Sequence, residues 1–373
     1  MPFGHTPASW SNTVSEQVCE YRADGRCALP DAQLPKSTIL PWGNPSATVA
    51  FLLTRAEARQ LTYAKWEERT AGTVALINRA HAKLRTRLKS GLTVWVHVAD
   101  SGRDQLPLPV HPPWGVTLST VGARDAAADF WPDYSVCGWR AVGFDAATTT
   151  LAEFAQSLVL AGLLPARAPL RPQAFFAGNA RWHPVRSLLV NQSREMPEWL
   201  DVRDVATDAA GGVVDAAAAV PFADASQWEV LLDVPGGGWS GRLKFLPLLG
   251  RPLVVIDRRE WDWISGAVLR PYEHYRPVAA TTRGPGNGVD TKYSLDIDDL
   301  FDQLAWVRNN AHEAALMAER ARRAVLDALH DDAVDAQAAR VLARHAAAAM
   351  KERPPDLDAD GSVPDFVGLK SEL

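Results

Sequence analysis

The sequence is poor in several features that would place it in a class at once. Only three cysteines, Cys19, Cys27 and Cys137, occur in 373 residues, too few for a disulfide scaffold. Cys19 and Cys27 can pair or stay reduced, and no matching second pair marks a zinc site. No apolar run approaches the about 20 residues that a membrane-spanning helix needs. The formal net charge is −5, which gives no support to a general nucleic-acid binder, since phosphate contacts need clustered cations. The opening residues, Met1-Pro2-Phe3-Gly4-His5, carry neither the basic region nor the apolar core of a signal peptide. A cytoplasmic protein without a transmembrane span is the expectation.

What is present is ordinary material for a folded protein: 47% hydrophobic and 22% charged residues. A chain of 373 residues exceeds the size at which a single core usually stops growing, so two domains are expected. Residues 1–50 are turn-rich and read as an irregular lead-in. From Arg55 to about Leu88 the apolar spacing is helical, with a break near Ala71-Gly72. Leu92–Val98 reads as a strand, as does Gly115–Ser119, and Ala127–Asp133 reads as a loop. A helix follows over Thr150–Leu164. The Pro/Arg-rich stretch Leu164–Pro172 interrupts both periodicities and marks a boundary.

Beyond it, strand and helix alternate more clearly. Ala174–Ala177, Leu200–Val202, Trp228–Val234 and Pro252–Asp257 read as strands, and Tyr275–Val278 as an edge strand because of its proline. Helices are expected from His183-Pro184, briefly from Trp239, and over 298–309, 311–329 and 333–350. The fold class is therefore α/β, with a mainly parallel sheet covered by helices. The expected division is 1–50, 51–165, 166–330, and a C-terminal helix and tail over 331–373. Ligands of such sheets gather beyond the carboxyl ends of the strands.

The most informative junction is Leu232-Asp233-Val234-Pro235-Gly236-Gly237-Gly238-Trp239-Ser240-Gly241-Arg242. Consecutive glycines, Gly238 among them, let a backbone approach a ligand closely. Ser240 can bond an anion, and the Arg242 guanidinium can make paired contacts to phosphate oxygens. The alternative is a flexible turn with a solvated arginine. The junction has neither the Lys-Ser/Thr ending of a P-loop nor a Gly-x-Gly-x-x-Gly fingerprint, which counts against an ordinary ATPase or dehydrogenase. A second junction, Gly178-Asn179 with Arg181, can face the same ligand or serve only as a turn. Asp100, just past the Leu92–Val98 strand, is placed to take a proton from a hydroxyl, and Asp104 is its rival. Glu260 before Trp261 can hold a sugar or ribose hydroxyl, or sit on the surface beside a packed indole. Asp298-Asp299 opens a helix and suits a capping role rather than that of a sugar-nucleotide metal motif. No metal ligands are assigned.

In combined order, these segments resemble glycosyltransferase family 90, which includes CAP10-like capsule enzymes and protein O-glucosyltransferases. The likeness rests on Phe176-Ala177-Gly178, Trp239-Ser240-Gly241-Arg242-Leu243-Lys244, Glu260-Trp261, Pro271-Tyr272-Glu273-His274-Tyr275, Asp299-Leu300 and Trp306. Val98-Ala99-Asp100 and Asp129-Phe130-Trp131-Pro132-Asp133-Tyr134 extend it more weakly forward, so that it covers residues 92–330.

The resemblance implies a GT-B-like fold with two Rossmann-like lobes, an interlobe cleft and C-terminal helices. In it, 51–165 is the acceptor side and 166–330 the UDP-sugar side. It implies inverting, metal-independent transfer of a sugar, xylose or glucose, from a UDP-sugar co-substrate to an acceptor hydroxyl, with no tightly bound cofactor. Asp100 resembles the family's base and Arg242 its diphosphate ligand. Ser240 belongs to the same nucleotide loop as Gly238 and Gly241, and Glu260 matches the acidic position before tryptophan. Where the protein O-glucosyltransferases carry an Arg-Asp-Tyr-Pro-type segment, this chain has Ala99-Asp100-Ser101-Gly102-Arg103-Asp104, which keeps Asp104 as a rival. Without a secretory signal, a cell-envelope or capsular glycan handled at the inner face of a membrane fits better than an extracellular protein acceptor. The other classes weighed are a non-catalytic carbohydrate-binding protein and a nucleotide-sugar hydrolase.

Overall fold

A computed structural model describes residues 20–21, 27–28, 48–53, 58–60, 67–84, 92–98, 116–163, 170–206, 219–236, 239–283 and 292–352. The first elements are a short antiparallel pair, β1 (Glu20–Tyr21) and β2 (Cys27–Ala28). Asp100, Asp104, Gly238 and Cys19, and with Cys19 any bond to Cys27, lie outside the described residues. So do the tail from Pro354 and most of the expected boundary at Leu164–Pro172.

The N-terminal sheet contains β3 (Thr48–Leu53), β4 (Ala58–Gln60), β5 (Leu92–His97) and β6 (Val116–Ser119), ordered β4-β3-β5-β6. β3 pairs antiparallel with β4 and β5, whereas β5 and β6 are parallel. Val49, Phe51 and Leu53 alternate into the core, as do Leu92, Val94 and Val96, the period-two signature of a strand. Helix α1 (Glu67–Leu84) covers this sheet with Val74, Ile77, Ala80 and Leu84.

Two expectations fail here. The helix does not begin at Arg55, because Ala58–Gln60 pairs with β3 instead, Gln60 opposite Phe51. Nor does it break at Gly72: α1 runs through, and a Cβ there would lie 2.6 Å from the Tyr134 carbonyl oxygen. Glycine at this position permits close packing. Likewise part of the loop expected at Ala127–Asp133 is a 3-10 turn, Arg124–Asp129, following the two-residue strand β7 (Val121–Gly122). Buried Cys137 is a free thiol that burial pushes up to a pKa of about 11.

After α2 (Leu151–Leu163) the chain builds a five-stranded parallel sheet from β8 (Arg171–Gly178), β9 (Leu200–Asp204), β10 (Trp228–Asp233), β11 (Leu253–Ile256) and β13 (Arg276–Val278). Its order is β13-β11-β10-β8-β9, so the proline-bearing strand does lie at an edge. One face, with Phe175, Leu231, Leu253 and Val255, shares a continuous core with the N-terminal sheet residues Val49, Phe51 and Val94. The other, with Phe176, Val230, Leu232 and Val254, packs on α3 (Pro184–Glu195) and α4 (Ile297–Asn309). Short strands complete the chain: β12 (Trp261–Asp262), antiparallel to β7, and the hairpin of β14 (Ala280–Arg283) and β15 (Lys292–Leu295).

The helix expected to open at Trp239 does not form. Ser240 turns inward, and only Leu246–Leu249 coils as a 3-10 turn, with Pro247 in its tolerated first positions. Helices α5 (Ala311–Leu329) and α6 (Asp331–Glu352) follow. Helix α6 returns to the N-terminal half, where Asp335 meets Arg79 at 2.6 Å. Gln337 donates to the carbonyls of Ala128 and Phe130 at 3.0 and 2.9 Å. Among the described residues, no helix is long and apolar enough to cross a membrane.

Candidate functional site

From β8 the chain crosses through α3 to β9 on one side, then returns to place β10 on the other. The connections leaving the carboxyl ends of β8 and β10 therefore run to opposite sides, which makes the crevice between them the topological switch point of the sheet. Both glycine-containing junctions of the sequence end there. β8 delivers Gly178, Asn179 and Arg181, and β10 leads into the loop that carries Ser240, Gly241 and Arg242.

Arg242 reaches across to β8. Its Nη1 donates to the Ala177 carbonyl at 2.5 Å, and its guanidinium lies 4.8 Å from the centre of the Phe176 ring. Gly178 leaves room for it, since a Cβ there would lie 3.0 Å from Arg242 Nη2. Among the described residues no carboxylate pairs directly with Arg242. Burial holds its pKa below the ordinary guanidinium range, only partly opposed by the charge of Asp233.

Asp233, fully buried at the end of β10, organises the floor of the crevice. It accepts from Ser240 Oγ at 2.6 Å and forms an ion pair with Arg258, also buried. Arg186 on α3 holds the two strand ends together. Its Nε donates to Pro235 O at 2.8 Å, Nη1 to Asn179 O at 3.1 Å and Nη2 to Val234 O at 3.4 Å. Burial, then the neighbouring Arg242, lowers the pKa of Arg186 to about 9. His183, the N-cap of α3, is brought down to about 4 by burial and then by Arg186 and Arg258. The imidazole is neutral, with Nδ1 accepting from Val185 N at 3.3 Å. Three guanidiniums thus act on one carboxylate, a field that favours an anion in the crevice.

The wall toward the N-terminal half is built around Lys244, a fully buried cation. Its Nζ lies 2.8 Å from Asp133 and 3.0 Å from Asp262, and donates to Ser135 Oγ and to Gly241 O, each at 3.0 Å. Burial works against its charge, but the two carboxylates outweigh it and raise its pKa. The ammonium also sits 4.3 Å from the Trp239 ring centre. A Cβ on Gly241 would lie 2.9 Å from Trp139, so the Trp239–Arg242 loop is clamped against residues of the N-terminal half.

The expected site residues thus fall into three groups. Gly178, Asn179, Arg181, Ser240, Gly241 and Arg242 converge at the switch point. Glu260 is buried beyond the end of β11, next to Trp261, whose Nε1 donates to Arg258 O at 2.9 Å. It is not the surface glutamate of the alternative reading. Asp100, Asp104 and Gly238 lie outside the described residues, although β5, the strand before both aspartates, is in place. Asp233, Arg186, Arg258 and Lys244 were not singled out as site residues. Asp233 ends β10, and a strand-end aspartate has no signature of its own. A helix arginine such as Arg186 reads as solvated until its helix is placed.

Among the described residues, no group of three or more His, Cys, Asp or Glu side chains is arranged to hold a metal ion. Asp296 caps α4 by accepting from Asp299 N at 3.0 Å, and Asp299 accepts from Ala279 N at 2.7 Å. The cap is thus Asp296 rather than the Asp298-Asp299 pair, of which Asp299 is used in local structure.

A comparison with curated proteins finds no match to the chain. The sequence profile described as Glycosyl transferase family 90 matches residues 120–356, more than half of the 373. That span contains both switch-point junctions, the Lys244 clamp and all of α6. The chain belongs to glycosyl transferase family 90, and is an enzyme that moves a sugar from a donor to an acceptor.

Proposed function

We propose that the protein transfers xylose or glucose from a UDP-sugar to an acceptor hydroxyl, with inversion and without a metal ion. The observation that carries the reading is Arg242: a guanidinium at the switch point, without a carboxylate partner among the described residues, beside a glycine that keeps its approach open. Arg242 contacts the diphosphate, while Ser240, Gly241, Gly238, Asn179 and Arg181 line the nucleotide and Glu260 holds a ribose or sugar hydroxyl. The halves act as GT-B-like lobes, 51–165 for the acceptor and 166–330 for the donor.

In the reaction the acceptor oxygen attacks the anomeric carbon from the face opposite UDP, and its proton passes to Asp100 or Asp104. The bond between the anomeric carbon and the β-phosphate oxygen breaks, and its electron pair leaves with UDP. Negative charge grows on the diphosphate, where Arg242 is already oriented, so its attraction strengthens as the bond breaks. A cell-envelope or capsular glycan is the proposed acceptor, handled in the cytoplasm or at the inner face of a membrane.

The test is a panel of UDP-sugars and glycan acceptors, with UDP release, product linkage and anomeric configuration measured. Asp100→Asn and Asp104→Asn are assayed beside the parent, before and after exhaustive chelation. Inverted product, activity that survives chelation, and a fall of on the order of 10²-fold or more in one aspartate variant are expected. Retained configuration would sink the inversion. Free sugar under every acceptor condition would mean a hydrolase, and binding without UDP release a carbohydrate-binding protein.

A further inference from the structure

Trp182 is the most exposed large apolar side chain among the described residues, with 63% of its surface open. Tyr272 is nearly as exposed, but its ring has the Arg276 guanidinium 4.9 Å from its centre. Among the described residues, no ring or cation stacks on Trp182. Nor is its backbone loose. The 3-10 turn Ala180–Trp182 is held by Asn179 Oδ1 accepting from Arg181 N at 2.9 Å and by Asp204 Oδ1 accepting from Ala180 N at 2.8 Å. Ser187 Oγ adds a bond to Ala180 O at 3.3 Å. A fixed turn thus holds an indole in water at the carboxyl end of β8, beside the crevice.

Its side of the crevice decides what reaches it. Gly241 meets Trp139 and the N-terminal half on one flank, whereas Arg242 bonds Ala177 at the end of β8 on the other. The Trp182 turn lies beyond that strand end and leads into α3, which packs on the sheet face away from the shared core. A sugar awaiting transfer must face the N-terminal half, which the reading above makes the acceptor side. With the diphosphate on Arg242, the nucleoside extends the opposite way. We propose that Trp182 is the platform on which the donor's nucleobase stacks, an inference that rests on the donor-site reading above. The flat face of a pyrimidine matches an indole, whose rigid ring loses little freedom on contact.

Calorimetry of UDP and of inorganic pyrophosphate binding to the parent, Trp182→Ala, Trp182→Phe and Arg242→Ala proteins separates the two claims. Trp182→Ala is expected to weaken UDP roughly tenfold, within the range of aromatic–base stacking, and to leave pyrophosphate unchanged. Trp182→Phe keeps a ring and should recover most of the affinity. In turnover, Trp182→Ala should raise the donor KM with kcat unchanged, the pattern of binding lost equally from ground and transition states. Arg242→Ala should weaken both ligands. If Arg242→Ala weakens both while Trp182→Ala leaves UDP affinity intact, the nucleobase platform is overturned and the donor site stands. Loss of acceptor transfer with unchanged UDP affinity in Trp182→Ala overturns it equally, and moves Trp182 to the acceptor. If Arg242→Ala binds both ligands normally, the donor-site reading itself fails.

Discussion

Arg242 and Lys244 are near neighbours on one loop, and the structure uses their charges in opposite ways. Lys244 is enclosed with two carboxylates, a hydroxyl and a carbonyl, and its ammonium has no further role to fill. Arg242 is half-buried, and bonds one carbonyl and no carboxylate among the described residues. A buried cation with matched anions holds structure together; one left short of them is poised for an anionic ligand. The Lys244 cluster also fixes the Gly241 carbonyl, so the structural cation sets the position of the functional one.

Substitution should separate the two roles. The largest change in rate is expected from Arg242→Ala: a fall of roughly 10²–10³-fold in kcat/KM, the scale for losing a donor aimed at growing charge. Its melting temperature should stay close to that of the parent, since the lost cation had no carboxylate partner among the described residues. A steep loss of stability with modest kinetic change would reverse the comparison.

Lys244→Met should do the opposite. It strands Asp133 and Asp262 in a dry interior, and breaking a buried pair in this way costs about 3–5 kcal/mol. Denaturant unfolding checks it, and adding Asp133→Asn and Asp262→Asn should return much of the stability. If Lys244→Met alone is as stable as the parent, the cluster is not the clamp described.

Gly178→Ala is a smaller perturbation of the Arg242 side. The new methyl group would lie 3.0 Å from Nη2 and 2.9 Å from the Phe176 ring, so the guanidinium must shift. An increase in donor KM on the order of tenfold is expected, the scale of a displaced charge-assisted contact. Unchanged kinetics would show that Arg242 does not work from its present position.

A pH dependence is also expected. His183 has its folded pKa lowered from 6.5 to about 4, so below pH 6.5 the unfolded chain binds a proton that the folded protein refuses. Its contribution is complete above pH 6.5 and is lost as pH falls toward 4, by on the order of 3 kcal/mol. His183→Asn keeps a capping oxygen without a titrating group. Melting curves between pH 7 and 4.5 should fall less steeply for the variant than for the parent. Parallel curves would exclude His183 as a source of the slope.

Several elements were legible because their cause is local. The runs that became β10 and β11 are apolar on both faces, as strands buried in a parallel sheet must be. His183-Pro184 marked the start of α3, since a proline suits the first turn of a helix and the capping group precedes it. Arg242 was legible because glycines and a serine surround it in chain order. The misreadings share one cause. Ala58–Gln60 has helical spacing but pairs with β3, Gly72 looked like a break but makes room for Tyr134, and Trp239–Leu249 gives up a helix to turn Ser240 toward Asp233. In each case a distant partner overrode local preference.

The amino-acid sequence by itself determined the α/β class, the alternation of strand and helix through the second half, and the two glycine-containing junctions. These follow from short-range periodicity and turn chemistry, which need no knowledge of what lies across the molecule. Only the tertiary structure decided that both junctions open at one switch point, since strand order is a property of the sheet. It also decided that Asp233 organises the arginines, that Lys244 is sealed by Asp133 and Asp262, and that Trp182 remains uncovered. Burial and pairing depend on which groups the fold brings within a few ångströms. Residues as far apart as Asp133 and Asp262 carry no mark of their common partner until the chain has closed around it.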